Sequence, residues 1–177
     1  PSNELLNVTA TTEGGFVIAA KAHKWYIMKI NPWLEQEWTE EIPENLGAGL
    51  KSLFGLTEVE NGSILFTMTH YTFDKQRVFV KKFNASGAEI FHTDMQYDWF
   101  PLNWQFKMGP NGTYYGVGTF NILGDPYATA IGQFGKPKWY FSYGEGNSEK
   151  NVLSDLIVDT NLILAVGQEG QDPVGKI

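Results

Sequence analysis

The chain has 177 residues, of which 42% are apolar and 15% aromatic, a composition typical of a folded globular protein. Its formal net charge is −7, and its largest basic cluster is Lys81–Lys82, so it lacks the concentrated positive charge that binds nucleic acids or anionic membranes. No run reaches the roughly 20 apolar residues of a membrane-spanning helix. The absence of cysteine excludes disulfides, thiolate metal sites and cysteine nucleophiles.

A turn followed by a short apolar run occurs four times along the chain. The four segments are "EGGFVIAA" (13–20), "NGSILFTM" (61–68), "NGTYYGVG" (111–118) and "DTNLILAVG" (159–167). Gly14, Gly62, Gly112 and Asn161 hold the same position, at intervals of 48, 50 and 49 residues. A period near 50 residues predicts one supersecondary unit that is used four times.

Each unit predicts four short antiparallel strands, A to D. The turn joins strands A and B, and its Asn-Gly or Glu-Gly pair is typical of a two-residue hairpin loop. Strand A carries a large apolar residue: Leu6, Phe54, Trp104 and Leu153. Strand C reads "YIMKIN" (26–31), "FVKKFN" (79–84), "AIGQF" (130–134) and "VGKI" (174–177). Strand D contains Trp38, Phe91 and Trp139 in the first three units.

Units of 40 to 50 residues with four strands are typical of β-propeller blades. The sequence therefore predicts one all-β domain over residues 1–177. Its blades occupy about 3–41, 50–94 and 102–143, with a partial blade at 151–177. The alternative is a β-sandwich, in which turn signals also recur. The fixed offsets of the Trp, Phe and Lys-apolar-Asn positions favour the propeller.

The segment "WYFSYGEGNSEKNVLSDLIVDTNLILAVGQEG" (139–170) resembles the repeats of secreted β-propeller proteins. In those repeats an aromatic residue, a glycine-rich loop, apolar-x-Val-Asp, a turn and apolar-x-Val-Gly follow one another. The other three units fit this pattern more loosely. The resemblance implies a toroidal fold and an extracellular or cell-surface location, and it implies no single activity.

The fourth unit ends before its D strand. Three explanations are open: the chain is a piece of a longer protein, copies complete one another, or copies stack as an open array. Each of them leaves or fills an exposed strand edge, which is a template for pairing with another chain. The predicted partner is another copy or another propeller segment.

Four triplets match the acceptor pattern for N-glycosylation, and they begin at Asn7, Asn61, Asn84 and Asn111. Asn61 and Asn111 fall in A-to-B turns, and Asn84 falls in a C-to-D turn. These turns open on the same face of a propeller, so the sequence predicts a glycan-coated face. Asn-Gly-Ser is also good turn chemistry without any glycan, and Asn7 falls in a strand.

The opposite face is built from the D-to-A and B-to-C loops, which include 95–103. There Tyr97, Asp98, Trp99 and Asn103 combine aromatic rings with polar atoms, a mixture suited to binding sugars or proteins. In the alternative interpretation, Trp99 only fills the gap between neighbouring blades. A lectin-like module that binds glycans is one hypothesis for this face.

Catalysis finds little support in the sequence. His23, His70 and His92 lack the spacing of metal ligands, and no Gly-x-Ser-x-Gly elbow occurs. Glu169 and Asp172 lack the spacing of a calcium loop and are interpreted as a solvated loop. We therefore predict no cofactor, no metal and no catalytic residue. The expected function is a non-enzymatic scaffold or recognition module, with a carbohydrate-active propeller enzyme as the alternative.

Overall fold

The computed structural model describes residues 4–42, 51–71, 76–97, 101–120, 125–142, 152–159 and 162–168. The chain divides into two compact units, a first unit of residues 1–97 and a second unit of residues 98–177, and each contains two of the four sequence repeats. Across the described ranges, all regular elements are β-strands except one 3-10 turn at Glu60–Gly62. The predicted all-β class is confirmed.

The first unit contains two antiparallel sheets of four strands each, in chain order. Sheet 1 consists of β1 (Glu4–Ala10), β2 (Phe16–Lys21), β3 (Trp25–Ile30) and β4 (Gln36–Ile42). Sheet 2 consists of β5 (Lys51–Glu58), β6 (Ile64–Tyr71), β7 (Gln76–Phe83) and β8 (Glu89–Tyr97).

The second unit contains a four-stranded and a two-stranded antiparallel sheet. The predicted C strand at 174–177 lies outside the described residues. The arrangement of the four sheets as one propeller domain stays a prediction. Sheet 3 consists of β9 (Pro101–Met108), β10 (Tyr114–Phe120), β11 (Asp125–Ile131) and β12 (Pro137–Ser142), and sheet 4 of β13 (Val152–Val158) and β14 (Ile163–Gln168).

The A-to-B loops of sheets 1, 2 and 3 are one residue longer than the two-residue loops expected, whereas in sheet 4 the Asp159 amide donates to the Leu162 carbonyl across the two residues expected. In the first A-to-B turn, the Thr11 amide donates to the Gly15 carbonyl, so the loop comprises three residues. The last of them, Gly14, has φ +91°. Equivalent bonds close the next two A-to-B turns, whose third residues Gly62 and Gly112 also have positive φ. The two-residue prediction is wrong for these three turns. In sheets 1 and 3 glycine is the left-handed third residue after a type I turn, whereas in sheet 2 Asn61 (φ +53°) and Gly62 are both left-handed.

The same irregularities recur in the sheets. The register between strands A and B shifts in all four sheets: between Leu5 and Asn7, Ser52 and Phe54, Leu102 and Gln105, and Leu153 and Asp155. Strand D carries a similar shift against strand C in sheets 1, 2 and 3. A β-bulge twists a strand and redirects its side chains. Its repetition supports one structural unit used several times.

An apolar seam joins the two sheets of the first unit. The face of sheet 1 that packs on sheet 2, called its forward face, presents Val17, Ala19, Trp25 and Ile27. The face of sheet 2 that packs on sheet 1, called its backward face, presents Leu56, Ile64, Phe66 and Met68. In every sheet, the forward and backward faces are those that carry the equivalent positions. All eight residues are buried in one cluster. Alternation along each strand places these residues on one side. The Trp38 Nε1–H group donates to the Ala85 carbonyl at 3.0 Å and ties β4 to the C-to-D turn of sheet 2.

The segment 95–103, which was expected to be one of the long loops, is mostly strand. β8 continues through Met95 to Tyr97, and β9 begins at Pro101. Met95 is only 6% exposed, so burial continues past the predicted end of strand D. Burial of alternate residues extended the strand beyond the region that the Trp and Phe positions had marked.

Candidate functional surfaces

The three turn sequons lie at hairpin ends. Asn61 and Asn111 are exposed in A-to-B turns, and Asn84 opens a C-to-D turn. In an antiparallel meander, both of these turns lie at the same end of the sheet. In sheet 2 they adjoin, since a Cβ placed on Gly62 would lie 3.3 Å from the Cβ of Ala85. Asn61 and Asn84 therefore share one end of sheet 2, and their glycosylation stays a prediction.

The Asn84 side chain also holds its turn together. Its Oδ1 accepts hydrogen bonds from the Ser86 and Ala88 amides at 3.0 Å and 2.9 Å. In the equivalent turn of sheet 1, Asn31 Oδ1 accepts from the Trp33 and Glu35 amides. This is the local backbone capping for which Asn is favoured in turns. The bonds use the oxygen of Asn84, whereas an N-linked glycan is carried by its amide nitrogen.

Asn7 differs from the other three acceptors. It lies in β1, as expected, where it pairs with Ala19 and is half-buried. Ala19 belongs to the forward face of sheet 1 and is completely buried. Asn7 is therefore the one acceptor that lies within a strand and beside a buried position.

The predicted ligand-binding residues fall largely outside the described structure. Tyr97 is the last residue of β8 and Asn103 lies in β9, but their side chains are not described. Asp98 and Trp99 lie outside the described residues altogether. The binding role of these four residues, and the lectin and enzyme hypotheses that depend on it, stay predictions.

A buried lysine joins two carboxylates at the turn end of sheet 1. Lys29 is 3% exposed, and its Nζ lies 2.8 Å from Glu13 and 2.9 Å from Glu37. Burial alone would lower the pKa of Lys29, but hydrogen bonds and charge attraction from both glutamates outweigh it and raise the pKa. Lys82 in sheet 2 has the same strand position and pairs with Glu60. The repeated lysine fixes the A-to-B turn to strand C.

A second ionic group lies on the backward face of sheet 2. Glu89 contacts Lys81 at 2.9 Å and His92 at 2.6 Å, and Lys81 also reaches Glu40 of sheet 1 at 3.2 Å. Hydrogen bonds from His92 and then Lys81 lower the pKa of Glu89. A carboxylate held ionised in this way is a poor general acid. Because Lys81 contacts both Glu89 and Glu40, this ionic group joins sheet 2 to sheet 1. In the described ranges, no three His, Asp or Glu side chains converge on a possible metal position.

The second unit contains an apolar cleft of about 420 Å³ between sheets 3 and 4. Tyr115, Val117 and Trp139 line it from sheet 3, and Leu156 and Ala165 from sheet 4. Counting from the A-to-B turn, Ala165 holds the position of Phe66, which fills the seam of the first unit. The smaller side chain at this position leaves room between the sheets. Lys107 and Asp155 form an ion pair of 2.8 Å that joins β9 to β13.

Each unit also has an exposed apolar sheet face that the sequence analysis did not identify. The backward face of sheet 1 includes Val8, 50% exposed, and Phe16, 38% exposed. The forward face of sheet 4 presents Ile157, Leu164 and Val166, which are 56%, 48% and 50% exposed. The continuous apolar run "LILAV" (162–166) was the available signal, but such a run does not reveal whether either face of the strand is covered.

Two C-to-D turns carry exposed apolar side chains at their tips. Trp33 and Leu34 in sheet 1 are 78% and 72% exposed, and Phe134 in sheet 3 is 75% exposed. Ser86 holds the position of Trp33 and Phe134 in sheet 2. In sheet 3 the turn end therefore presents an apolar side chain, Phe134, as well as a sequon at Asn111.

No protein-family model matches the chain, and no curated protein matches it. Among matching solved structures, a protein of unknown function from Bacteroides caccae aligns with a TM-score of 0.56 at 14% sequence identity. The alignment covers 93% of this chain and 61% of that chain, so this chain spans less than two thirds of the other protein's length. The likeness shows the fold alone. Within the described ranges, no helix is long and apolar enough to cross a membrane.

Proposed function

We propose that the chain is a non-enzymatic, extracellular, N-glycosylated scaffold of the β-propeller type that works as part of a larger assembly. The observation that carries this proposal is the apolar sheet face left exposed in each unit. Exposed apolar patches of this kind mark interaction surfaces. The recurrent bulges and the buried seam of the first unit support a rigid repeat that presents such faces.

The extracellular part of the proposal rests on the sequons at the turn ends. Two of them, at Asn61 and Asn111, are exposed side chains in A-to-B turns, where a bulky glycan can extend into solvent. The protein purified from its source is expected to have a mass above 19.9 kDa that falls when N-glycans are removed enzymatically. A mass unchanged by this treatment would contradict glycosylation.

Two variants separate the glycan at Asn84 from the turn. Ser86→Ala removes the acceptor triplet and the Ser86 Oγ–H bond to Asn84 Oδ1, but it keeps the bonds that the Ser86 and Ala88 amides donate to that oxygen. Asn84→Gln removes the triplet and those bonds together, so it should also cost about 1 kcal/mol of unfolding free energy. In a secreting eukaryotic host, both variants should lose the mass of one glycan, while Ser86→Ala, which loses one exposed side-chain hydrogen bond, stays closer in stability to the deglycosylated parent than Asn84→Gln does. Equal glycan mass in Ser86→Ala and the parent would exclude Asn84 as an acceptor.

A further inference from the structure

Sheets 1 and 4 expose opposite halves of one kind of seam. We infer that the forward face of sheet 4 in one copy of the chain packs on the backward face of sheet 1 in a second copy. This inference rests on the proposed scaffold function and names the partner that the scaffold takes.

The open face of sheet 4 is equivalent to a face that is buried in sheet 1. β2 and β14 both follow an A-to-B turn, so Leu164 and Val166 hold the positions of Val17 and Ala19. Val17 and Ala19 are 0% exposed because sheet 2 covers them, whereas Leu164 and Val166 are about half exposed. The forward face of sheet 4 is thus shaped to be covered by the backward face of another sheet, as the forward face of sheet 1 is.

The open face of sheet 1 is equivalent to the opposite half of that seam. Ile18 and Ala20 hold the positions of Phe66 and Met68, and Val8 holds that of Leu56. Leu56 is 8% exposed in the seam, whereas Val8 is 50% exposed. The backward face of sheet 1 is thus shaped to pack on the forward face of another sheet, as the backward face of sheet 2 does.

The sizes of the side chains on the two open faces compensate each other. Leu164 and Val166 are larger than their seam equivalents Val17 and Ala19. On the other face, Ile18 and Ala20 are smaller than Phe66 and Met68. Apolar interfaces tolerate exchanges that keep the total volume. A sheet 4 face therefore matches a sheet 1 face better than it would match the larger backward face of sheet 2.

A contact between two different faces is heterologous, and each copy carries one of each. Sedimentation velocity of the 177-residue chain should show a mass that increases with protein concentration. Leu164→Lys and Val8→Lys each place a charge in the contact and should each raise the dissociation constant at least about tenfold. Phe134→Glu changes an apolar side chain that is 75% exposed away from both faces and should associate like the parent.

Mixing the two variants provides the sharpest test. Leu164→Lys keeps an intact sheet 1 face and Val8→Lys keeps an intact sheet 4 face, and the two altered faces repel each other, so an equimolar mixture should form one native contact and stop at heterodimers. A parent chain that stays monomeric at every concentration would overturn the inference. Association that survives both substitutions, or a mixture without heterodimers, would also overturn it. The glycan mass of the native protein tests the proposed extracellular function independently of these outcomes.

Discussion

Leu34 is the residue at which sequence and backbone conflict most clearly. Its φ of +64° is left-handed, and the equivalent positions of the other C-to-D turns are Gly87 and Gly135. A β-carbon in this conformation costs about 1 kcal/mol, and the Leu34 side chain is 72% exposed, so little burial offsets the strain. Leu34→Gly is therefore expected to raise the unfolding free energy by about 0.5–1 kcal/mol in urea denaturation.

The reciprocal change in sheet 2 is the control. Gly87 has φ +85°, and a Cβ there would lie 2.7 Å from the ring of Trp38. Gly87→Ala should lower the unfolding free energy by about 2–4 kcal/mol, since it combines backbone strain with a clash in the seam. If Leu34→Gly lowered the unfolding free energy, the contacts of the Leu34 side chain would stabilise the fold by more than its backbone strain destabilises it.

The Glu89 group predicts a dependence of stability on pH. Its pKa in the folded protein is lowered by His92 and Lys81 below the ordinary value of about 4.3. A lowered pKa contributes stability that is complete above the ordinary value and is lost as pH falls through the lowered one. Glu89→Gln should therefore be less stable than the parent at pH 7, with the difference shrinking in acid. Urea denaturation across this range measures it, and a constant difference would contradict the assignment.

At the scale of the elements, enlarging and shrinking equivalent side chains should have opposite effects in the seam between sheets 1 and 2 and in the cleft between sheets 3 and 4. Phe66 is 0% exposed in the first unit, so Phe66→Ala should cost about 3–5 kcal/mol of unfolding free energy. Ala165 holds the same position beside the 420 Å³ cleft, where Ala165→Leu should be neutral or add up to about 1 kcal/mol.

Chemical denaturation of both variants beside the parent checks this pair of expectations. A loss of several kcal/mol in Ala165→Leu would mean that the space beside β14 is already filled. A mild effect of Phe66→Ala would mean that sheets 1 and 2 do not depend on their apolar contact.

The strands were predictable from the sequence because their signals are local. Glycine at intervals near 50 residues and the alternation beside it located sheets 1, 2 and 3, including strand D around Trp38, Phe91 and Trp139. The bulges and three-residue loops were not predictable, since register depends on partners far along the chain. The Lys29 ion pairs were marked only by the repeated Lys-apolar-Asn pattern, which does not name the carboxylates.

At the scale of the molecule, the candidate surfaces were harder to predict than the strands. The sequons and the ligand-binding group at Tyr97, Asp98, Trp99 and Asn103 follow from residue types, and their roles stay predictions. The exposed faces of sheets 1 and 4 appear only when burial is known residue by residue. The apolar residues of a strand have the same pattern in the sequence whether another sheet covers their face or solvent does.

The most direct test of the account is native mass spectrometry of the protein from its source, compared with the same sample denatured and deglycosylated. The native particle is expected to be several times heavier than the denatured chain, because other copies cover the exposed sheet faces. A native particle with the mass of one chain and its glycans would contradict the assembled scaffold.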